Sequence, residues 1–110
     1  MIREVKYDRG AYLNLEHLVK ADKAQHKDVL FEYGNSLAED AELRKEVTKL
    51  NHNPPLYEML VSAEEFEGFR PPEGYRITFT LSGSIVIIVS FNYIEDLIAW
   101  REESHAPGSS

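Results

Sequence analysis

The apolar positions of this chain follow three different periods, and each period predicts a different kind of element. Residues 2–7 mix β-branched and aromatic side chains and are closed by Asp8-Arg9-Gly10, the composition of a first strand and its turn. From Ala11 the spacing becomes three and four: Tyr12, Leu15, Leu18 and Val19 define one face of a helix. Asp22 followed by Gln25 has the register of a capping box, and Val29, Leu30, Tyr33 and Leu37 carry a second apolar stripe behind it. Gly34-Asn35 is a natural stop or kink, and Ser36 with Glu39 repeats the capping pattern before Leu43, Val47 and Leu50. Residues 11–51 are therefore predicted to be helical, in two or three helices.

Asn53-Pro54-Pro55 ends this region, because neither proline supplies a backbone N–H and each restricts the residue before it. Residues 56–61 fit a strand or a helical turn, and a short edge strand is expected at residues 67–70, beside the second Pro-Pro pair. Tyr75, Ile77, Phe79 and Leu81 alternate with Arg76, Thr78 and Thr80, which predicts a strand with one buried face and Ser82-Gly83 as its hairpin turn. Residues 85–89 are apolar without alternation, so this strand is expected to be central and covered on both sides. The long helical crossover lets the first strand run parallel to it. Asn92 with Glu95 forms a last capping pair for a helix defined by Ile94, Leu97, Ile98 and Arg101.

This order predicts the α+β class: an N-terminal strand, a helical hairpin of two or three helices, an antiparallel meander and a C-terminal helix. The Leu15, Val29, Leu37 and Leu43 faces are expected to cover the strand at 85–89. A length of 110 residues with 43% hydrophobic content supports one core, so a single domain is expected over residues 1–103, with 104–110 as a disordered tail. No apolar run approaches the ~20 residues of a membrane span. With no signal-like start and no cysteine, a cytoplasmic address is expected, without disulfides or thiolate zinc. The four histidines share no ligand spacing and no glycine-rich loop cradles phosphate, so neither metal nor cofactor is expected.

Charge sharpens the reading. The net charge is −7, and its distribution is uneven: residues 1–30 net +1, residues 31–67 net −6, and residues 68–110 net −2. Such a chain is repelled by nucleic acid unless a basic face is locally focused. The acidic stretch from Glu58 to Glu67, flanked by Phe66 and Phe69, reads as a solvated face or as a docking patch.

Val5-Lys6-Tyr7 followed by Ala11, Leu15 and Leu18 resembles the opening strand and helix of the RelE/ParE toxin superfamily of bacterial toxin–antitoxin systems. Asp22 through Leu37 resembles its second helix, and Leu50-Asn51-His52-Asn53-Pro54 the close of its helical hairpin. Phe69-Arg70, then Gly74-Tyr75-Arg76-Ile77, then a strand ending at Phe91, is similar to the family's arginine-bearing hairpin. The resemblance spans residues 3–101. It implies a RelE/ParE-like fold, a cognate antitoxin as partner, and either a ribosome-associated, metal-independent mRNA endoribonuclease or a gyrase-inhibiting relative. Arg70 and Arg76 match the family's arginine positions, and Tyr93 lies near its terminal aromatic or histidine.

The residues themselves allow that chemistry. Arg76 projects opposite Tyr75, Ile77 and Phe79, beside Thr78 and Thr80, and Arg70 is expected on the adjacent strand. Two guanidiniums there would clamp a phosphate and stabilise a pentavalent transition state. The alternative is that each pairs with Glu67 or Glu73 on a solvent face, with Tyr93 a structural aromatic. The chain also departs from the family pattern: no lysine pair precedes Arg70, and Phe79 stands where a tyrosine is common. These departures and the acidic charge motivate a second function, a non-catalytic inhibitor or adaptor that meets a basic protein through residues 31–67.

Overall fold

The computed structural model describes residues 4–39, 47–50, 52 and 55–105, with side chains as far as Glu102. The chain runs β1 (Glu4–Tyr7), α1 (Arg9–Lys20), α2 (Ala24–Ser36), β2 (Val47–Leu50), β3 (Leu56–Ser62), a 3-10 turn at Ala63–Glu65, β4 (Gly74–Ser82), β5 (Ile85–Ile94) and α3 (Leu97–His105). The strands form one sheet in the order β1-β5-β4-β3-β2. β1 lies parallel to β5 with Glu4 opposite Ile85, while β2 to β5 form an antiparallel meander. The strand at residues 85–89 is interior, as its apolar run predicts, although β4 holds the middle place.

One face of the sheet is covered by α1 and α2. Ile77 and Phe79 of β4, Val86, Ile88 and Phe91 of β5 and Met59 and Val61 of β3 are buried there with Leu15, Leu18, Leu30 and Leu37 of the helical layer. Buried positions in β5 shift from even to odd numbers, because the ladder skips a residue: Thr78 pairs with Ser90 but Phe79 with Ile88. Val89 is the extra residue of this bulge, and the change of parity is why residues 85–91 show no clean alternation. Gly34 lets α2 approach closely, since a Cβ there would stand 2.7 Å from the Tyr7 hydroxyl and 2.8 Å from Ile88 Cδ1. The Tyr7 O–H donates to Asn35 Oδ1 at 2.7 Å, fastening β1 to the end of α2.

Several expectations are corrected. No third helix follows α2 among the described residues: Val47 and Leu50 belong to β2, where pairing with Met59 and Leu56 overrides their helical spacing. Leu43 lies outside the described residues. Residues 56–61 are strand, and residues 67–70 are loop rather than an edge strand. The hairpin turn is Gly83-Ser84, with Gly83 at φ +61°, because Ser82 still pairs with Ile85.

The caps differ as well. Asp8 caps α1, accepting from the Arg9 N–H. Asp22 does not cap α2 but ends α1 in the left-handed region at φ 60°, with Lys23 N–H donating to Leu18 O and Asp22 N–H to Val19 O. Those two bonds are the paired closure of a helix C-terminus. Asn92 lies within β5, Ser36 is the last residue of α2, and Asp96 caps α3 through the Ala99 N–H. α3 begins at Leu97, leaving Ile94 in β5, and runs to His105, past the expected start of the tail.

Candidate functional site

The second face of the sheet lies away from α1 and α2, and it carries the polar half of the β4 alternation. Cross-strand register sets Glu58, Thr78 and Ser90 in one row and Leu60, Arg76 and Asn92 in the next. Directly opposed residues project to the same side, so strand pairing alone assembles a carboxylate, a guanidinium, two hydroxyls and an amide. α3 crosses above them and brings Trp100 down onto the cluster.

Glu58 is 1% exposed, although it stands on the face without the paired helices. Its Oε2 accepts from Arg76 Nε at 2.9 Å and from the Trp100 indole N–H at 3.4 Å. The Arg76 guanidinium carbon lies 4.8 Å from the Trp100 ring centroid. This arrangement sets the guanidinium over the indole and commits Nε to Glu58. The two terminal nitrogens have no hydrogen-bond partner among the described residues, and they retain the fork geometry that suits an oxyanion. Thr78 Oγ1 is buried in the same row and also has no partner there.

Arg70 and Tyr93 occupy a different place. Arg70 is in the loop before β4, not on an adjacent strand. Its backbone N–H donates to Glu73 Oε1 at 2.9 Å, and the Tyr93 hydroxyl donates to Glu73 Oε2 at 2.7 Å. Tyr93 is paired with Tyr75, which puts it on the helix-covered side of the sheet. Glu73 thus links two of the three expected residues, whereas Arg76 projects from the opposite face. Tyr93 and Arg76 lie within two register positions of the Gly74–Ile94 pair, and Arg70 is in the loop that leads into it.

The electrostatics of that link are consistent. The Arg70 N–H, then the Tyr93 hydroxyl, hold the Glu73 carboxyl below its ordinary range, aided by the Lys23 and Arg70 charges. The same carboxylate pushes the Tyr93 phenol up, so it keeps its proton at neutral pH. The loop itself is pinned from behind: His26 Nε2 donates to Glu67 O at 2.7 Å and accepts at Nδ1 from the Tyr75 hydroxyl at 3.1 Å. Gln25 adds a bond from the Glu67 N–H. Phe66, Phe69 and Tyr75 pack their rings around the buried imidazole.

Glu58, Trp100 and His26 were not singled out from the sequence as parts of this site. Trp100 is the sole tryptophan, and His26 falls on the apolar stripe of α2 beside Leu30 and Tyr33, so both carried a signal. Glu58 carried a misleading one, since it opens an acidic stretch read as surface.

No protein-family model and no curated protein matches the chain. Among solved structures, a chain of the archaeal RelE–RelB complex from Pyrococcus horikoshii OT3 superposes with a TM-score of 0.56, covering 84% of this chain and 94% of that chain at 19% identity. The architecture is therefore that of a RelE-like toxin fold, as the resemblance implied. At that identity the likeness is one of fold.

Proposed function

We propose that the chain is the toxin-type member of a toxin–antitoxin pair: an mRNA endoribonuclease, metal-independent and ribosome-associated, that an antitoxin protein holds inactive in the cytoplasm. The observation that carries this reading is the Arg76 guanidinium on the second face of a RelE-like sheet, its Nε held by Glu58 and its terminal nitrogens without a hydrogen-bond partner among the described residues. In cleavage, the RNA 2′-hydroxyl gives its proton to a solvent water and attacks the adjacent phosphorus, the P–O5′ bond breaks, the 5′-oxygen takes a proton, and a 2′,3′-cyclic phosphate remains. Arg76 would hold the phosphate as charge accumulates on its oxygens, with the RNA wrapped around this end of the sheet so that Arg70 and Tyr93, gathered by Glu73 on the other side, reach the same linkage. Tyr93, which keeps its proton at neutral pH, would protonate the leaving oxygen. Glu58 is too deeply buried to touch a substrate and acts by orienting Arg76.

Expression in bacteria tests this directly. Growth arrest is expected from the wild type and relief from Arg70→Ala, Tyr93→Phe and Arg76→Lys. The last substitution keeps a cation against Glu58 while removing the fork. Each should lower cleavage by about 10²–10³-fold, the size of losing one transition-state donor. Transcript cleavage against loss of supercoiling separates the ribonuclease from a gyrase-inhibiting relative. Soluble, folded protein that leaves growth unaffected removes both.

A second reading is favoured by a specific observation. Arg76 and Tyr93 are already engaged, by Glu58 and Glu73, and project from opposite faces. With a net charge of −7, this suits a non-catalytic adaptor that kept the scaffold and binds a basic protein. Partner binding that survives Arg76→Lys, without growth arrest, identifies it.

A further inference from the structure

Between α3 and the loop before β4 lies a groove of about 370 Å³. Its walls are Pro71, Pro72, Leu97 and Ile98, and its rim carries Glu64, Glu73 and Glu102 against the single cation Arg101. Ile98 is 65% exposed, the most exposed large apolar side chain among the described residues. α3 is firmly seated at this point: the Leu97 N–H donates to Pro72 O at 2.8 Å, and a Cβ at Gly74 would collide with Leu97 and the Val61 carbonyl. The groove is consequently a fixed feature of the fold rather than a gap that side chains can close. Ser62 Oγ donates to Glu64 Oε1 at 3.0 Å, which holds one rim carboxylate in place. Glu73, lowered by the Arg70 N–H and the Tyr93 hydroxyl, stays ionised over the whole physiological range.

An apolar slot with an acidic rim selects its occupant by charge. A second copy would set the same three carboxylates against one another around the exposed Ile98 side chains. We infer that this groove is a docking site for a partner-protein segment with a large aliphatic side chain flanked by Lys or Arg. The aliphatic group enters between Pro72 and Ile98, and the flanking cations meet Glu64, Glu73 and Glu102 across water-thin distances that salt will screen. The inference goes beyond the proposed activity, because the groove would take this segment whether or not the opposite end of Arg76 meets RNA. It also moves the expected basic-partner surface: of the acidic stretch 58–67, Glu58 is buried and only Ser62, Ala63 and Glu64 line this groove.

The test uses two fluorescein-labelled helical peptides with identical Leu positions, one bearing Lys and the other Glu between them, titrated by anisotropy with the full chain. The Lys peptide is expected to bind at low salt and to weaken at least 10-fold at high salt. Ile98→Ser, which alters an exposed side chain, and the pair Glu64→Lys with Glu102→Lys should each weaken it at least 10-fold. The pair Glu16→Lys with Glu32→Lys changes the net charge equally on the helical side and should weaken it less than 2-fold. The Glu peptide should bind only the Glu64→Lys, Glu102→Lys protein. Failure of the Lys peptide to bind, equal loss in the control pair, or indifference to Ile98→Ser overturns the inference. Self-association of the wild type that Ile98→Ser abolishes assigns the groove to a second copy and overturns it too. None of these readouts depends on growth arrest or RNA cleavage, so the two readings fail separately.

Discussion

Where α1 and α2 cover the sheet, Phe79, Ile77 and Ile88 are buried among aliphatic and aromatic neighbours; on the other side the most buried side chain is a carboxylate, Glu58, held by Arg76 and Trp100. The difference separates two kinds of burial. The helical face gains from removing apolar area from water, and its polar exceptions, such as His26, have both ring nitrogens bonded. The open face gains little from area and depends on mutual satisfaction of charged groups, so it is the part that one substitution can upset and one ligand can reorganise.

Phe79→Ala should break the helical face most severely, costing about 3–5 kcal/mol in urea denaturation. A loss below about 1 kcal/mol would mean that this face is not the core. Arg76→Ala comes next, at about 2–3 kcal/mol near neutral pH, because the buried Glu58 Oε2 loses the guanidinium N–H it accepts from; partial exposure of Arg76 keeps the figure below that of a sealed pair. The double variant Glu58→Leu, Arg76→Leu should recover most of that loss, whereas additive damage would show that the two do not act as a unit.

At the junction of the two helices, Asp22→Gly is expected to stabilise by about 0.5–1 kcal/mol. It relieves a left-handed Asp and removes a negative charge from the C-terminal end of α1, an effect measurable as a raised midpoint.

Titration sharpens the contrast further. Burial pushes the Tyr75 phenol up to about 12. The unfolded chain therefore loses this proton first, and the contribution of Tyr75 to stability is full below pH 10 and lost as pH rises towards 12. Absorbance of the phenolate, followed beside circular dichroism, checks the order. The smallest effect belongs to Glu73: its lowered value favours the fold above the ordinary carboxylate range and is lost as pH falls. Tyr93→Phe should raise that value partway by NMR, since the Arg70 N–H remains.

The same two faces were not equally legible. The β4–β5 hairpin, the parallel first strand and the helical stripes could be read from periodicity, because burial against a helical layer repeats along the chain. β2 was misread because Val47 and Leu50 are spaced by three and their partner, β3, was itself ambiguous in isolation. Asp22 was misread because the same short side chain suits a helix N-cap and a left-handed C-terminus. Arg76 and Arg70 were placed on neighbouring strands, but the prolines keep Arg70 in a loop, and Arg76 takes its partner from β3. No local pattern marks Glu58 as that partner, since the pairing depends on a register that three strands fix together.

The parallel bond of β1 to β5 has a consequence for biosynthesis. β1 has its lateral neighbour in β5, with Glu4 opposite Ile85, so every helix and strand between them is made before the pair can form. Until residues 85–88 emerge, β1 has no strand to pair with, and those sides of α1 and α2 that cover β5 wait in solution. The β1–β5 pairing therefore closes late, and a segment made before the meander is secured only after it. A nascent chain halted in the β4–β5 turn would present those uncovered sides of α1 and α2 to chaperones, whereas one that includes all of β5 would not.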